Sequence, residues 1–436
     1  IKEIIKIKNN NSEEVAFFSA NIINNNLWWK INIKETDSSI VDPIKCPTWS
    51  IWSYTSDWYL IVDRALLDSV ILWNEAVWVS KVCTTQITDM TWLFYNKTTF
   101  NEDINHFDTS NVIYMTSMFW FAASFNQPLN FDTSNVTNLS MMFFGATEFN
   151  KPLNFNTSKV NNMSQMFKWA TNFNQPLNFD TSNVTDMSYM FNWAFWQPNI
   201  FNQPLNFDTS NVINMGGMFW DAVNFNQSIN FNTSKVENMG SMFKSAKNFN
   251  QVIKFNTSNV QNMAAMFYDA LSFNKPLSFN TSNVTDMNSM FWAHAWWIDN
   301  FNQPLNFNTY NVIDMSNMFS WTDKFNQIID FNTSNVQNMS YMFSNAKSFN
   351  QPITFETSNV TNMFGMFWWA LSFNQPITFE TSNVTNMELM FSETNNFNQD
   401  TSLWNVLNVT ECDDFDTDSI WWLLPNSKPN FTNCTP

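Results

Sequence analysis

FNQPLNFDTSNVTNLSMMFFGATE, running from Phe125 to Glu148, is followed at once by FNKPLNFNTSKVNNMSQMFKWATN, Phe149 to Asn172. The second segment repeats the first with its apolar residues unmoved. Leu129 and Phe131 alternate with Asn130 and Asp132, the period-two pattern of a short strand with one face buried. Ser134 and Asn135 then turn the chain. Val136, Leu139, Met142 and Phe143 follow at spacings of three, three and one, which predicts a short helical or 3₁₀ turn. Neither piece buries its apolar side alone, so each coil must be covered by the next.

The same Phe-Asn pair returns at Phe100, Phe125, Phe149, Phe173, Phe201, Phe225, Phe249, Phe273, Phe301, Phe325, Phe349, Phe373 and Phe397. Most steps are 24 residues. Two carry an insertion, in NWAFWQPNIFN before Phe201 and WAHAWWIDNFN before Phe301. The expected fold is therefore a leucine-rich-repeat-like solenoid with one short parallel strand and one helical turn per coil. Leu129, Leu153, Leu177 and Leu205 should form one inward ladder, and Phe131, Phe155, Phe179 and Phe207 another. Around this array the sequence divides into a non-repeating segment 1–59, which could end a preceding module, an N-terminal cap and partial repeat 60–99, about thirteen coils over 100–410, and a C-terminal cap or tail 411–436. Residues 60–73 are expected to form a short capping helix. The apolar alternation within 1–35 predicts strands.

Hydrophobic residues make up 44% of the 436, enough for a continuous core, and 46 of them are Phe. Only 13% of residues are charged and the net charge is -17, which leaves no basic stripe for nucleic acid. No apolar run of 18 residues predicts a membrane span. The chain starts at Ile1 rather than Met, so a processed or truncated product is expected, with any anchor outside these residues. The four cysteines flank the array. Pairing Cys46 with Cys83 and Cys412 with Cys434 would staple its two ends in an oxidising compartment; unpaired thiols in a reducing one are the alternative.

After each repeat Phe stands an Asn (Asn126, Asn150, Asn174, Asn202). An inward amide ladder that satisfies backbone groups is expected there, with exposed turn amides as the other reading. Asn135, Asn183 and Asn211 invite the same inference.

FNQPLNFDTSNVTDMSYMF (Phe173–Phe191) and FNQPLNFDTSNVTNLSMMF (Phe125–Phe143) resemble the short repeats of the BspA-like leucine-rich-repeat surface proteins of bacteria, a group that includes a mycoplasma domain of unknown function. The likeness extends over roughly Leu60 to Thr410. It implies an exported, surface-attached protein, an adhesive role and no catalytic residues.

The position two beyond each Met-Phe reads Phe121, Gly145, Trp169, Trp193, Asp221, Ser245, Asp269, Ala293, Trp321, Asn345, Trp369 and Glu393. Gly, Asp, Asn and Ser describe a turn with positive φ, which a Trp side chain disfavours. With 22 Trp and only 5 Gly in the chain, our reading is that some Trp stand for UGA codons that the host decodes as Gly.

His106 and His294 lie about eight coils apart, which excludes a histidine triad or a histidine metal centre. Paired carboxylates on neighbouring coils, Asp180 with Asp208 and Glu356 with Glu380, are the candidate calcium ligands; mild repulsion in water is the plainer account. No other cofactor is expected, and no enzyme. The candidate interaction face is the outward row Asn130, Asp132, Asn154, Asn156, Asn178, Asp180, Asn206 and Asp208, followed by Thr133, Thr157, Thr181 and Thr209. Such a row suits many weak contacts to a protein or glycan on another surface. The two insertions are the candidate local contacts. A surface-layer or filament subunit and a glycan-binding module are the alternatives to adhesion or display.

Overall fold

The structure is a computed structural model and describes residues 3–8, 14–23, 26–33, 60–72, 82–193, 200–294, 299–419 and 427–436. Two units are present, Ile1–Asp42 and Pro43–Pro436. The first holds an antiparallel sheet of β1 (Glu3–Lys8), β2 (Glu14–Ile23) and β3 (Asn26–Ile33), in the order β1-β2-β3. Its β2–β3 register runs from Ala16 opposite Ile33 to Ile23 opposite Asn26.

The second unit begins with β4 (Leu60–Ile61), α1 (Arg64–Leu72) and β5 (Val82–Cys83), β4 and β5 being parallel. Asp63 caps α1 by accepting the Leu66 N–H at 2.8 Å. The Arg64 guanidinium reaches across to the carbonyls of Asp89 and Thr91, at 2.9 and 2.7 Å, and ties the helix to the first coil.

From there on the chain is a repeat solenoid. The inward ladders lie where the alternation puts them: Leu129, Leu153, Leu177 and Leu205 are 3–5% exposed, and Phe131, Phe155, Phe179 and Phe207 are each 6% exposed. The strand itself is reduced to single parallel bridges, such as Leu129 to Leu153 and Leu177 to Leu205. A second row of parallel bridges passes through Tyr114, Asn138, Asn162, Asp186, Asn214 and onward to Glu411.

The expected helical turn is replaced by tandem tight turns. Met142, Phe144 and Ala146 donate their N–H groups three residues back, to Leu139, Met141 and Phe143. The alternate N–H groups, of Leu139, Met141, Phe143 and Gly145, go to Asn162, Ser164, Met166 and Lys168 of the next coil at 2.8–3.0 Å. A helix would keep these bonds within its own coil; the turns send half of them across the stack. Outside the two coils that carry insertions, each coil uses two left-handed residues to do this. They are Met141 (φ 56°) and Gly145 (φ 68°) in this coil, and Gln165 and Trp169 in the next.

Three Phe columns fill the interior. Phe125 stacks on Phe149 at 5.9 Å, Phe143 on Phe167 at 5.7 Å, and Phe155 on Phe179 at 6.5 Å between ring centres. Phe143 also lies 4.1 Å from Phe149, which opens the next repeat. Each ring is thus covered from above, below and one side, so the aromatic content forms one continuous core.

Candidate ligand-binding faces

Four polar rows run along the coils, each built from one repeat position. In the first, the Asn126 Oδ1 accepts the N–H of Asn150 at 3.0 Å, Asn150 that of Asn174, Asn174 that of Asn202, and so on to Asn398. Gln175 and Gln203 add a second donor to the same oxygens. The ladder exists, but on the half-exposed rim and not in the interior. Backbone N–H groups that the single-bridge strand leaves over are satisfied there by side chains.

The second ladder is buried. Thr133, Thr181 and Thr209 are at most 1% exposed, and each hydroxyl donates to a carbonyl of the next coil, at Asn156, Asp208 and Asn232. The Thr row therefore does not belong to an outward interaction face. A Thr methyl packs inward while its hydroxyl bonds along the stack, which the polar name of the residue conceals.

The third is the row beside Ser. Asn135, Asn183 and Asn211 donate their Nδ2 back to the carbonyls of Ser110, Ser158 and Ser182, at 2.7–2.8 Å. A fourth row, not anticipated from the sequence, is the residue before each Met or, in one coil, before Leu139, and its turn-capping bonds stay within the coil. Asn138, Asn162 and Asp186 accept the N–H two residues on, at Ser140, Ser164 and Ser188, each at 2.8 Å. Its signal is the recurrent Asn or Asp ahead of Met, hidden under the helical spacing of Val136, Leu139 and Met142.

The eight residues Asn130, Asp132, Asn154, Asn156, Asn178, Asp180, Asn206 and Asp208 are all exposed. Half of them cap the turn that follows: Asp132, Asn156, Asp180 and Asp208 accept the N–H of Ser134, Ser158, Ser182 and Ser210. Hydrogen bonds from Ser182 hold the Asp180 carboxyl below its ordinary range, and those from Ser210 do the same for Asp208. Glu380 is lowered likewise by Ser382. The candidate calcium ligands Asp180, Asp208 and Glu380 thus serve as turn caps, and Glu356 offers its backbone carbonyl to Thr333. Among the described residues no group of three or more His, Cys, Asp or Glu side chains is placed to hold a metal ion. The two histidines stay apart: His106 meets Phe107 edge-on at 4.9 Å, and the His294 N–H donates to Asp269.

Beside the third ladder lies a shallow groove of about 440 Å³ lined by Glu237, Asn259, Gln261, Asn283, Thr285 and Asn311. The tandem-turn side carries a different surface. Tyr95 packs on Trp120 at 4.7 Å, Trp120 on Phe144 at 5.6 Å, and Phe144 on Trp169 at 4.9 Å. Lys168 lies over Phe144, Trp169 and Tyr189 at 5.1–5.6 Å, and Lys244 over Trp220 and Tyr268 at 4.5 and 4.3 Å. Burial among these rings lowers both ammonium pKa values. On the adjoining left-handed positions, burial pushes Asp221 up to about 6 and also raises Asp269. At the corner before Phe301, Asp299 is 5% exposed, accepts the Phe301 N–H at 2.9 Å, and is pushed by burial up to about 7.

Cys412 and Cys434 form a disulfide that closes the C-terminal coil. Cys83 is disulfide-bonded as well; Cys46, its expected partner, lies outside the described residues. Residues 194–199 and 295–298, which hold most of both insertions, lie outside them too. No described helix is long and apolar enough to cross a membrane.

Fold and surface together define a repeat solenoid whose coils are joined by main-chain and side-chain ladders and whose flanks repeat from coil to coil. A family model described as Mycoplasma protein of unknown function, DUF285, matches residues 72–154, 129–205, 153–253, 192–297, 230–330, 278–354 and 353–419. The chain belongs to this family. No curated protein and no solved structure matches it.

Proposed function

We propose that the protein is a cell-surface scaffold for adhesion or display, without catalytic activity, whose coils are of the BspA-like leucine-rich-repeat kind. It holds a protein or glycan on another surface through many weak contacts along its flanks. The observation that carries this reading is the uniform outward row from Asn130 to Asp208, which recurs every coil. Contacts that are feeble singly become strong when several engage together. The disulfide between Cys412 and Cys434 supports an oxidising, extracellular setting.

A glycan ligand is the second reading, favoured by the ring-lined side around Trp120, Phe144, Trp169 and Tyr189. It stands only if those tryptophans are present in the native protein.

The test is retention of the full chain on arrays of glycans and extracellular-matrix proteins, followed by the same assay on chains shortened by whole coils. Binding should weaken stepwise with each coil removed. No retention on any surface, together with end-to-end polymers in light scattering, would replace adhesion by a filament role.

A further inference from the structure

We propose that the groove past Asn259, Asn283 and Asn311 binds linear polyamines, with successive ammonium groups on the three Asn side-chain oxygens and on Glu237. This site is independent of the adhesive role.

The Asn row spends its Nδ2 groups within the stack. Asn259 donates to Ser234, Asn283 to Ser258 and Asn311 to Ser282, each at 2.7 Å. An amide whose nitrogen is held in this way presents its oxygen as a fixed acceptor. No described residue donates to the Oδ1 of these three.

The chain itself shows twice what such an oxygen takes. Where Lys replaces Asn in the row, its ammonium lies on the Oδ1 of the coil before: Lys159 on Asn135 at 2.7 Å, and Lys235 on Asn211 at 2.6 Å. Beyond Lys235 the row has no further Lys, and the next three oxygens line the groove. The facing wall is Glu237, Gln261 and Thr285, bounded by the exposed Ile213 and Ile313. Glu237 makes no ion pair among the described residues, so the groove has carbonyl oxygens and a carboxylate but no cation of its own.

Spacing selects the ligand. Parallel coils repeat at about 4.8 Å; a propyl spacer sets ammonium groups about one coil apart and a butyl spacer somewhat more. An extended polyamine therefore repeats the Lys-to-Asn contact on consecutive rungs. The net charge of -17 draws such cations toward the protein.

The experiment is calorimetric titration of spermine into the full chain at about 0.1 M salt. Asn283→Lys fills the middle rung from within, in the way Lys159 and Lys235 already do, so the fold should tolerate it. Asn383→Lys makes the same charge change on the same row, outside the groove. One saturable site is expected, weakened about tenfold or more by Asn283→Lys and left within about twofold by Asn383→Lys. Equal loss in both variants, no saturable heat, or tighter binding of tetralysine than of spermine would overturn the proposal.

Discussion

The side-chain oxygen of Asn250 accepts the backbone N–H of Asn274 in the following coil at 3.0 Å, and the Asn250 N–H is received in turn by Asn226 at 2.9 Å. Each such Asn is acceptor for one neighbour and donor to the other.

Asn250→Ala leaves the Asn274 N–H without its protein partner while keeping the bond to Asn226. The site is half-exposed, so water recovers part of the loss, and a cost of about 1 kcal/mol is expected. Asn250→Asp keeps the acceptor and should cost less. Urea midpoints of the two variants check the order.

Phe243 is fully buried, 5.6 Å from both Phe219 and Phe267 and 4.2 Å from Phe249. Phe243→Ala opens a void in the middle of a column and should cost about 3–5 kcal/mol. Phe243→Leu fills most of that volume and should cost markedly less. Equal costs from thermal or denaturant unfolding would show that ring stacking, not volume, holds the column.

Asp299 and Asp221 predict an unusual pH profile. Their carboxyl groups titrate higher in the folded chain, about 7 and about 6, than the ordinary 3.8. The folded state therefore binds more protons than the unfolded one between about pH 4 and 7, and stability falls as pH rises through that window. Below it the lowered Asp180 and Asp208 act in the opposite sense, since stability they lend is lost on protonation. Asp299→Asn keeps an acceptor for Phe301 and removes the buried charge. It should raise stability near pH 8 by a few kcal/mol and flatten the slope between about pH 4 and 7. Unfolding curves across that range decide it.

Loss of the Cys412–Cys434 bond frees a tail joined across 22 residues. The double variant to Ser should lower the stability of the C-terminal coils by about 2–4 kcal/mol. Limited proteolysis should then cut first after residue 397, while the central coils resist.

Trp169, Trp321 and Trp369 have φ of 62°, 60° and 58°, on the column that Gly145 occupies at 68°. A left-handed conformation costs a residue with a Cβ about 1–2 kcal/mol. Trp369 is 39% exposed and returns little of this by packing. Trp369→Gly should therefore stabilise the chain by about 1 kcal/mol. Peptide masses from protein made by its own host should show Gly at these three positions, and a Trp mass would end the decoding explanation and leave the ring-lined side intact for glycan binding.

Much of the coil is legible in the sequence because two signals are strong. Leu129 and Phe131 alternate with exposed neighbours, and Asn126 recurs after a Phe that cannot move. The turn region reads as helical because tight turns and helical turns both advance the chain about three residues at a time, so Val136, Leu139 and Met142 fit either. Gly145 and its Asp and Ser equivalents announce one left-handed column. The other, at Met141, Gln165 and Tyr189, is occupied by residues with no such preference; the bonds between coils impose it, and those do not show in one coil's sequence. Thr133 is in phase with the inward Leu129 and Phe131, but its polar side chain placed it with the outward row, because its hydroxyl partner lies a full coil away at Asn156.

The ladders also have a direction. Leu139 gives its N–H forward to Asn162, whereas Asn150 gives its N–H backward to Asn126. The leading and trailing faces of the stack are therefore unlike, and each needs its own covering. Thr401 bonded to Ser427, Asn433 bonded to Leu407 and the bridge from Cys412 to Cys434 lay the tail across that trailing face. The tail therefore takes up backbone groups that a further coil would use, and covers an edge on which another chain could pair.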